Sequence, residues 1–464
     1  MSALARPEPN RAPVTLDSIR ACLEGVIPVA IATLAPDGTP NVTYISQVHY
    51  IDPGHVGLSY QFFNKTRANL LANPRARLLL IDPVTARSYR MTIVYERTET
   101  GGPLFESMRA KLAGIASHSG MAGVFRLAGA DICRVEAIEP LPGDSLPPRQ
   151  DAPGLLSALR NCCRRLAAEQ DLGTALDRLM DVIGDDLGIG HAALFLCDPD
   201  GRTLYAVASR GYEASGIGAE IAVGDGVIGM AARERTPIRI GRMTDDVDYA
   251  RGVGARLGAG GAAPEIPLPG LERPSSQLAV PVEDGGGLLG VLFVESERDL
   301  RFTYDHEDAL AVMAAQLAAV LRRTAGGVAP ARKSAAQAGP LQPAAGAVPL
   351  DVRHYRFNDS VFVGDDYLIK GVAGAIFRIL LAAHAHDGRC EFTNRELRLH
   401  PELRLPAHAE NLEARLILLE RRLAEKDCGI GIEKTGRGRF RLCLARPVRL
   451  HEIQAEAPTR DQGG

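Results

Sequence analysis

The chain has 464 residues, of which 46% are hydrophobic and 23% are charged, and its formal net charge is −3 at pH 7. These totals are typical of soluble globular protein, predict about two to four domains, and give no overall indication of nucleic-acid or membrane binding. The sequence has no apolar run of about 18 residues and no apolar segment at its N-terminus, so we expect a cytoplasmic protein without a membrane helix.

Eight cysteines are scattered along the chain, and none forms a C-x-x-C pair. Most lie among apolar residues, so we expect buried, reduced thiols and predict no metal site. Three isolated histidines, His49, His55 and His118, are expected at the surface or in turns.

Short strand-like runs fill the first segment, which we assign to residues 15–142. Residues 26–34 are apolar and β-branched, an Asp37-Gly38 turn follows, and residues 41–51 complete a predicted hairpin. Further strand-like runs and two short helices follow. Many short strands with few helices predict a closed or partly closed antiparallel β-barrel.

One helix in this segment begins with a basic first turn. Residues 59–74 predict the end of a strand, a loop and a helix with Asn64 as its N-cap, whose side chain can accept from a free amide. Lys65, Thr66 and Arg67 then offer an ammonium, a hydroxyl and a guanidinium where the helix dipole favours an anion. This pattern predicts a phosphate clamp; an ordinary capped helix with a solvated basic turn is the alternative.

Two strings in the segment, I-A-T-L-x-x-D-G-T-P-N-V-T-Y-I and L-S-Y-Q-F-F-N-K-T-R-A-N-L-L-A-N-P, resemble the FMN-binding split barrel of the pyridoxamine 5′-phosphate oxidase-like superfamily. The resemblance implies an antiparallel split β-barrel that binds FMN between the two subunits of a homodimer. It implies that the flavin phosphate is held at the helix start and by the strand before it, through Asn64, Lys65, Thr66, Tyr44 and Ser46. A true oxidase of this family ends in an Arg-rich segment after the barrel, which is missing here, so vitamin B6 oxidation is not expected.

The second segment, residues 150–324, predicts amphipathic helices, several strand pairs and a long closing helix. The strings L-F-L-C-D-P-D-G-R-T-L, G-D-G-V-I-G-M-A, S-S-Q-L-A-V-P-V and G-L-L-G-V-L-F-V-E-S resemble a GAF domain. The resemblance implies an α/β sandwich that binds a small molecule over its sheet or serves as a dimerisation module. Cyclic GMP is not expected, because no Asn-Lys pair precedes Phe302. The spacing of Gly224, Gly226 and Gly229 lacks a βαβ context and predicts a tight turn.

Residues 325–350 are rich in Ala, Gly and Pro and predict a flexible linker. Residues 351–446 then predict short strands, three helices and a basic hairpin, which is the plan of a winged helix-turn-helix. The strings L-E-R-R-L and I-E-K-T-G-R-G-R-F-R-L resemble the OmpR-type DNA-binding domain of response regulators. The whole chain is therefore predicted to be multidomain α+β.

This third segment carries 17 Lys and Arg against 14 Asp and Glu, a net charge of +3 in a negative chain. Arginines on a helix and a wing suit phosphates and guanine edges, so we expect DNA as the partner. The candidate DNA-binding residues are Arg415, Arg421, Arg422, Lys426, Lys434, Arg437 and Arg439. The alternative is a solvated basic face on a winged helix that binds protein.

These segments together favour a cytosolic, signal-sensing transcriptional regulator, with a flavin-binding barrel and a GAF module controlling a DNA-binding output. The alternative is an FMN-dependent oxidoreductase regulated by the other domains. No catalytic side chain is predicted, since the flavin would carry the chemistry. A third hypothesis is an interaction scaffold whose barrel has lost its flavin.

Overall fold

Strands and helices alternate along the computed structural model, which describes residues 14–25, 27–45, 48–60, 65–118, 127–146, 154–242, 266–285, 287–325, 348–403, 412–436 and 438–453. Four sheets divide these elements into three successive units. Ser46, Asn64, Arg437 and residues 326–347, most of the predicted linker, lie outside the described residues. None of the described helices is long and apolar enough to cross a bilayer.

An antiparallel sheet of seven strands forms the first unit. Its elements are β1 (Val29–Leu34), β2 (Pro40–Ile45), β3 (Val48–Asp52), β4 (His55–Tyr60), β5 (Arg75–Ile81), β6 (Ser88–Glu99), β7 (Gly129–Pro140), α1 (Lys65–Ala72) and α2 (Pro103–His118). The strand order is β2-β1-β5-β6-β7-β4-β3. Alternate residues such as Ile31, Leu78 and Met91 face one buried core, as strand periodicity requires.

A six-stranded antiparallel sheet with helices on both faces forms the second unit. Its elements are β8 (His191–Cys197), β9 (Thr203–Arg210), β10 (Glu220–Ala222), β11 (Ile238–Ile240), β12 (Ser276–Asp284), β13 (Gly287–Ser296), α3 (Leu155–Ala168), α4 (Leu172–Asp181), α5 (Gly226–Glu234) and α6 (Tyr304–Ala325). The strand order is β10-β9-β8-β13-β12-β11. One core lies under α3, α4 and α6, and a second lies under α5 on the opposite face.

Two small sheets and three helices form the third unit. Its elements are β14 (Leu350–Tyr355), β15 (Ser360–Val363), β16 (Asp366–Ile369), β17 (Glu391–Thr393), β18 (Ile430–Gly436), β19 (Arg439–Leu444), β20 (Val448–Ile453), α7 (Gly371–Asp387), α8 (Asn394–Arg398) and α9 (Leu412–Lys426). The sheet orders are β16-β15-β14-β20 and β17-β19-β18. The predicted succession of short strands, three helices and a hairpin is present, and Thr393 and Glu396 form the capping box that starts α8.

The eight cysteines are all free thiols, and four of them are buried. His49 corrects the expectation that the isolated histidines lie at the surface, because it is buried on β3. Burial and the nearby charge of Lys111 lower its pKa to about 4. His306, buried in α6, has its pKa lowered to about 4 by burial and by Arg301.

We predict that acid destabilises the first unit through His49. The unfolded chain takes up a proton near the ordinary pKa of 6.5, whereas the folded chain resists protonation until about pH 4. Stability is therefore fully present above pH 6.5 and falls by on the order of 3 kcal/mol as the pH drops to 4. Urea unfolding followed by circular dichroism should give a shallower pH dependence for His49→Gln than for the wild type. The exposed-site control His386→Gln should retain the wild-type slope.

Candidate functional site

Two of the residues predicted to bind phosphate lie side by side at the start of α1. Lys65 is the exposed first residue of the helix, and Thr66 is half-buried beside it. The Asn41 side chain on β2 donates a hydrogen bond to Thr66 Oγ1 at 3.0 Å, which leaves the Thr66 hydroxyl hydrogen free to donate. The pKa of Asp37, in the β1–β2 turn, is lowered mainly by hydrogen bonds from Thr39. The charge of Lys65 contributes a smaller part of this lowering.

Buried polar side chains fix the position of α1 against β1. Asn69 Nδ2 donates to Thr33 Oγ1 at 3.2 Å, and both residues are buried. Thr33 lies opposite Asn41 in the β1–β2 ladder, so one polar cluster ties both strands to the helix. Sequence reasoning missed these three residues. The signal was available in part, because a hairpin closed at the Asp37-Gly38 turn pairs residues 33 and 41.

The structure does not bring Arg67 together with Lys65 and Thr66 as the prediction expected, because the sheet holds its guanidinium. Its Nε lies 3.2 Å from the buried Asp131 carboxylate on β7, and a terminal nitrogen donates to Thr98 at 3.2 Å. Its guanidinium also stacks 4.0 Å from the centre of the Tyr60 ring. Residues two apart on a helix point about 200° away from each other, so Arg67 faces the sheet when Lys65 faces solvent.

Tyr44 also lies away from this cluster. Side chains alternate along β2, so Tyr44 shares a face with Val42, whereas Asn41 lies on the face that contacts α1. Tyr44 is 76% exposed. Together with exposed apolar side chains of the same sheet it forms what we call the outer apolar strip, composed of Tyr44, Val42, Leu34 and Leu79.

Two of the predicted DNA-binding arginines point into the second unit. Arg415 is only 5% exposed, forms an ion pair with Asp198 and stacks 3.7 Å from the centre of the Tyr205 ring. Arg421 donates to the Val207 carbonyl at 2.6 Å and to Asp177 at 2.5 Å. Neither guanidinium lies on an open surface.

Lys434, on the hairpin strand β18, also contacts the second unit. It forms ion pairs with Asp171 and, at 3.1 Å, with Glu413. Burial raises the pKa of Asp171, but the hydrogen bonds from Lys434 and Thr174 outweigh it and leave the pKa below its usual range. The pair therefore keeps both charges at neutral pH.

The four remaining candidate DNA-binding residues differ in their exposure. Arg422 is buried and donates to the Leu368 carbonyl at 3.1 Å and to Glu425 at 2.7 Å. Lys426 lies 3.6 Å from Asp366. Arg439 is exposed on β19, and Arg437 lies outside the described residues. The six of these cations that the structure describes thus do not form one open basic face, because α9 packs between two units.

Apolar contacts accompany these ion pairs. Ile417 and Leu418 are each 3% exposed although they lie on neighbouring positions of α9. A Cβ built on Gly173 would lie 3.7 Å from Ile417 Cδ1, and one on Gly218 would lie 3.7 Å from Leu418 Cδ1. The glycine backbone of the second unit therefore packs directly against α9, and one hydrophobic core extends through both units.

Comparisons with known families find matches within the first two units. A family model described as Pyridoxamine 5'-phosphate oxidase matches residues 15–131, and one described as GAF domain matches residues 171–321. These matches confirm the two family resemblances predicted for these parts of the chain, and neither match extends into the third unit. No curated protein matches the chain.

Several solved structures are similar to parts of the chain. Free methionine-R-sulfoxide reductase from Neisseria meningitidis is 21% identical over 39% of this chain and 96% of its own, with a TM-score of 0.31. The GAF domain of a phosphoenolpyruvate-protein phosphotransferase from Coxiella burnetii is 24% identical over 38% and 96%, with a TM-score of 0.30. An FMN-binding protein from Syntrophomonas wolfei subsp. wolfei is 14% identical over 27% and 86%, with a TM-score of 0.24.

We predict that Arg67→Met destabilises the first unit by about 3 kcal/mol, because the buried Asp131 carboxylate loses its partner. The chain has no Trp, so urea unfolding is followed by circular dichroism. Arg97→Met, which removes an exposed ion pair with Glu99, should cost less than about 1 kcal/mol. The double variant Arg67→Met/Asp131→Asn should recover part of the loss, since the unpaired charge is gone. An equal loss in the single and double variants would contradict the role given to Arg67.

Proposed function

We propose that this protein is a flavin-binding, signal-sensing regulator in which the barrel and GAF units control a DNA-binding third unit. The observation that carries the proposal is that the barrel unit packs onto the GAF unit and that the GAF unit packs onto α9. A conformational change in either unit can therefore be passed to α9 through residues in contact. The family matches over residues 15–131 and 171–321 support the sensory assignment.

FMN is the proposed cofactor of the first unit. Its phosphate would be held by the free amides at the start of α1, by Lys65 and by the Thr66 hydroxyl, which Asn41 orients. These residues fit a phosphate, because a cation and a hydroxyl donor stand at a helix N-terminus that buried contacts hold in place. The bound flavin would supply hydride or single-electron chemistry. The protein side chains at this site bind and orient, and none of them is proposed as an acid or base.

Contacts between the first two units support coupled sensing. Arg109 on α2 lies 2.9 Å from Glu234 on α5, the helix that covers one face of the GAF sheet. Arg239 on β11 is buried between Glu24 and Glu307, with the Glu307 carboxylate at 2.9 Å. Breaking the buried Arg239 contact is costly, so a shift of one unit is expected to displace the other.

A second copy of the chain is the proposed occupant of the outer apolar strip. An exposed group of apolar side chains on a regular sheet is typical of a protein–protein interface. The homodimer that the family resemblance implies would bury this strip. It would also bring two third units together, as paired DNA half-sites require.

DNA is the proposed partner of the third unit. Its net charge of +3, its succession of helices and hairpin, and the exposed Arg439 on the hairpin support this assignment. An FMN-dependent oxidoreductase is the second candidate, and the match to the oxidase family over residues 15–131 favours it. Turnover distinguishes the two, because a sensor holds one flavin redox state whereas an oxidoreductase cycles continuously.

Replacing Lys65 and Thr66 together with Ala is expected to weaken FMN binding at least tenfold, since a charge-assisted and a neutral hydrogen bond to the phosphate are lost. The absorption spectrum of protein titrated with FMN measures this affinity. Arg87→Ala removes an exposed cation elsewhere in the unit and should leave FMN binding unchanged. Wild-type affinity in the double variant would show that α1 is not the phosphate site.

We expect FMN-loaded protein to oxidise no more than about one equivalent of reduced nicotinamide per flavin in the absence of an added acceptor and oxygen. Under air, a sensor should show no sustained oxidation in a spectrophotometric assay at 340 nm. Sustained, FMN-dependent oxidation that disappears in the Lys65→Ala/Thr66→Ala variant would instead establish the oxidoreductase.

A further inference from the structure

The side of α9 that meets the second unit carries two arginines and two aliphatic residues. We call this surface the docking face, formed by Arg415, Ile417, Leu418 and Arg421. The surface that receives it on the GAF unit, which we call the acidic seat, is formed by Asp171, Asp177, Asp198, Gly173, Gly218 and the Val207 carbonyl. Each cation of the docking face has an oxygen acceptor in the seat.

Further ion pairs surround this contact. Lys434 from the hairpin pairs with Asp171 in the seat, and Lys370, just before α7, lies 2.9 Å from Glu220 on β10. Ser215 of the GAF unit donates a hydrogen bond to Glu425 at the end of α9. The third unit thus contributes the cations, and the GAF unit contributes most of the carboxylates.

We propose that the acidic seat holds the third unit in a closed state, in which GAF carboxylates occupy the cations that a nucleic-acid backbone would otherwise contact. This inference rests on the proposed DNA-binding function. In the closed state a duplex and the GAF unit compete for Arg415, Arg421 and Lys434. The DNA-binding form is therefore the one in which α9 has left the seat.

The apolar part of the docking face makes the closed state dominant. Leaving the seat exposes Ile417 and Leu418, and burial of two aliphatic side chains favours closure by on the order of a hundredfold. A binding-competent form populated at about one per cent lowers the apparent affinity for DNA by the same factor. Wild-type protein should consequently bind DNA weakly even at low salt.

A signal can reach the seat through β9. Tyr205 and Val207 on this strand contact Arg415 and Arg421, whereas Leu204 and Ala206 face the core under α5 on the other side of the sheet. A ligand that moves α5 or β9 would act on the seat across the thickness of one strand. It would favour the open form only to the extent that it binds that form better.

The test compares two charge-matched double variants of the full-length protein. Asp177→Asn/Asp198→Asn removes two carboxylates of the seat. Glu297→Gln/Asp308→Asn removes two exposed carboxylates of the same unit that form no ion pair within the described parts of the chain. Asp171 is left intact because its side chain caps α4 by accepting from the Thr174 amide at 2.8 Å. The controls correct for the general gain in DNA affinity that follows any loss of negative charge.

Hydrogen exchange of residues 412–426 measures opening, and fluorescence anisotropy with a mixed-sequence duplex measures DNA binding. We expect the seat variant to exchange faster in α9 and to bind the duplex about tenfold more tightly than the control variant, since two ion pairs are lost. Both effects should be larger than in the control.

The two readouts separate failure of the closed state from failure of the proposed output. Unchanged exchange, with equal DNA affinity in the seat and control variants, would overturn the closed state and leave DNA binding as an output. Faster exchange in α9 without DNA binding in any protein would overturn DNA as the partner of this helix, and the proposed output with it. Tight DNA binding by the wild type, at the affinity of the seat variant, would also overturn the closed state.

Discussion

The arrangement of the C-terminal half depends on one constraint, which is that α9 must be covered on two sides. Its buried residues include Leu416, Ile417, Leu418 and Leu419, which are consecutive and therefore point in every direction around the helix. A helical turn that is apolar around its circumference is most stable when partners cover it on two sides. The third unit supplies one partner through α7 and β18, and the GAF unit supplies the other through α4 and β9.

The charges at this interface follow from the same burial. A guanidinium taken out of water is tolerated only with acceptors for its N–H groups, and Arg415 finds Asp198 and the face of Tyr205. Lys434 and Asp171, which are both partly exposed, form an ion pair at the edge of the same interface. Residues whose types suit nucleic acid are here used to join two units, because a carboxylate and a phosphate offer a guanidinium the same kind of acceptor. This shared chemistry is what would let one set of side chains serve both partners of the proposed closed and DNA-bound forms.

A comparable buried contact joins the barrel to the GAF unit. Arg239 contacts Glu24 from the first unit and Glu307 from α6, and its guanidinium lies 4.2 Å from the centre of the Tyr304 ring. Burial lowers its pKa, but the two carboxylates outweigh this and raise the pKa overall, so the arginine remains charged. Buried arginines thus join the GAF unit to the first unit and to α9. The GAF unit therefore lies between the proposed flavin site and α9.

The sequence by itself determined the features that depend on neighbouring residues. The β1–β2 hairpin follows from its Asp-Gly turn, the capping box at Thr393 follows from spacing, and the first two family regions follow from continuous strings. Only the tertiary structure decided which partner each charge meets. Arg67 faces Asp131, which lies 64 positions away, and Arg415 faces Asp198, which lies 217 positions away. No local pattern encodes such contacts, because they arise from the burial of whole helices. The face of β2 that α1 covers, and hence the separation of Tyr44 from Thr66, was decided in the same way.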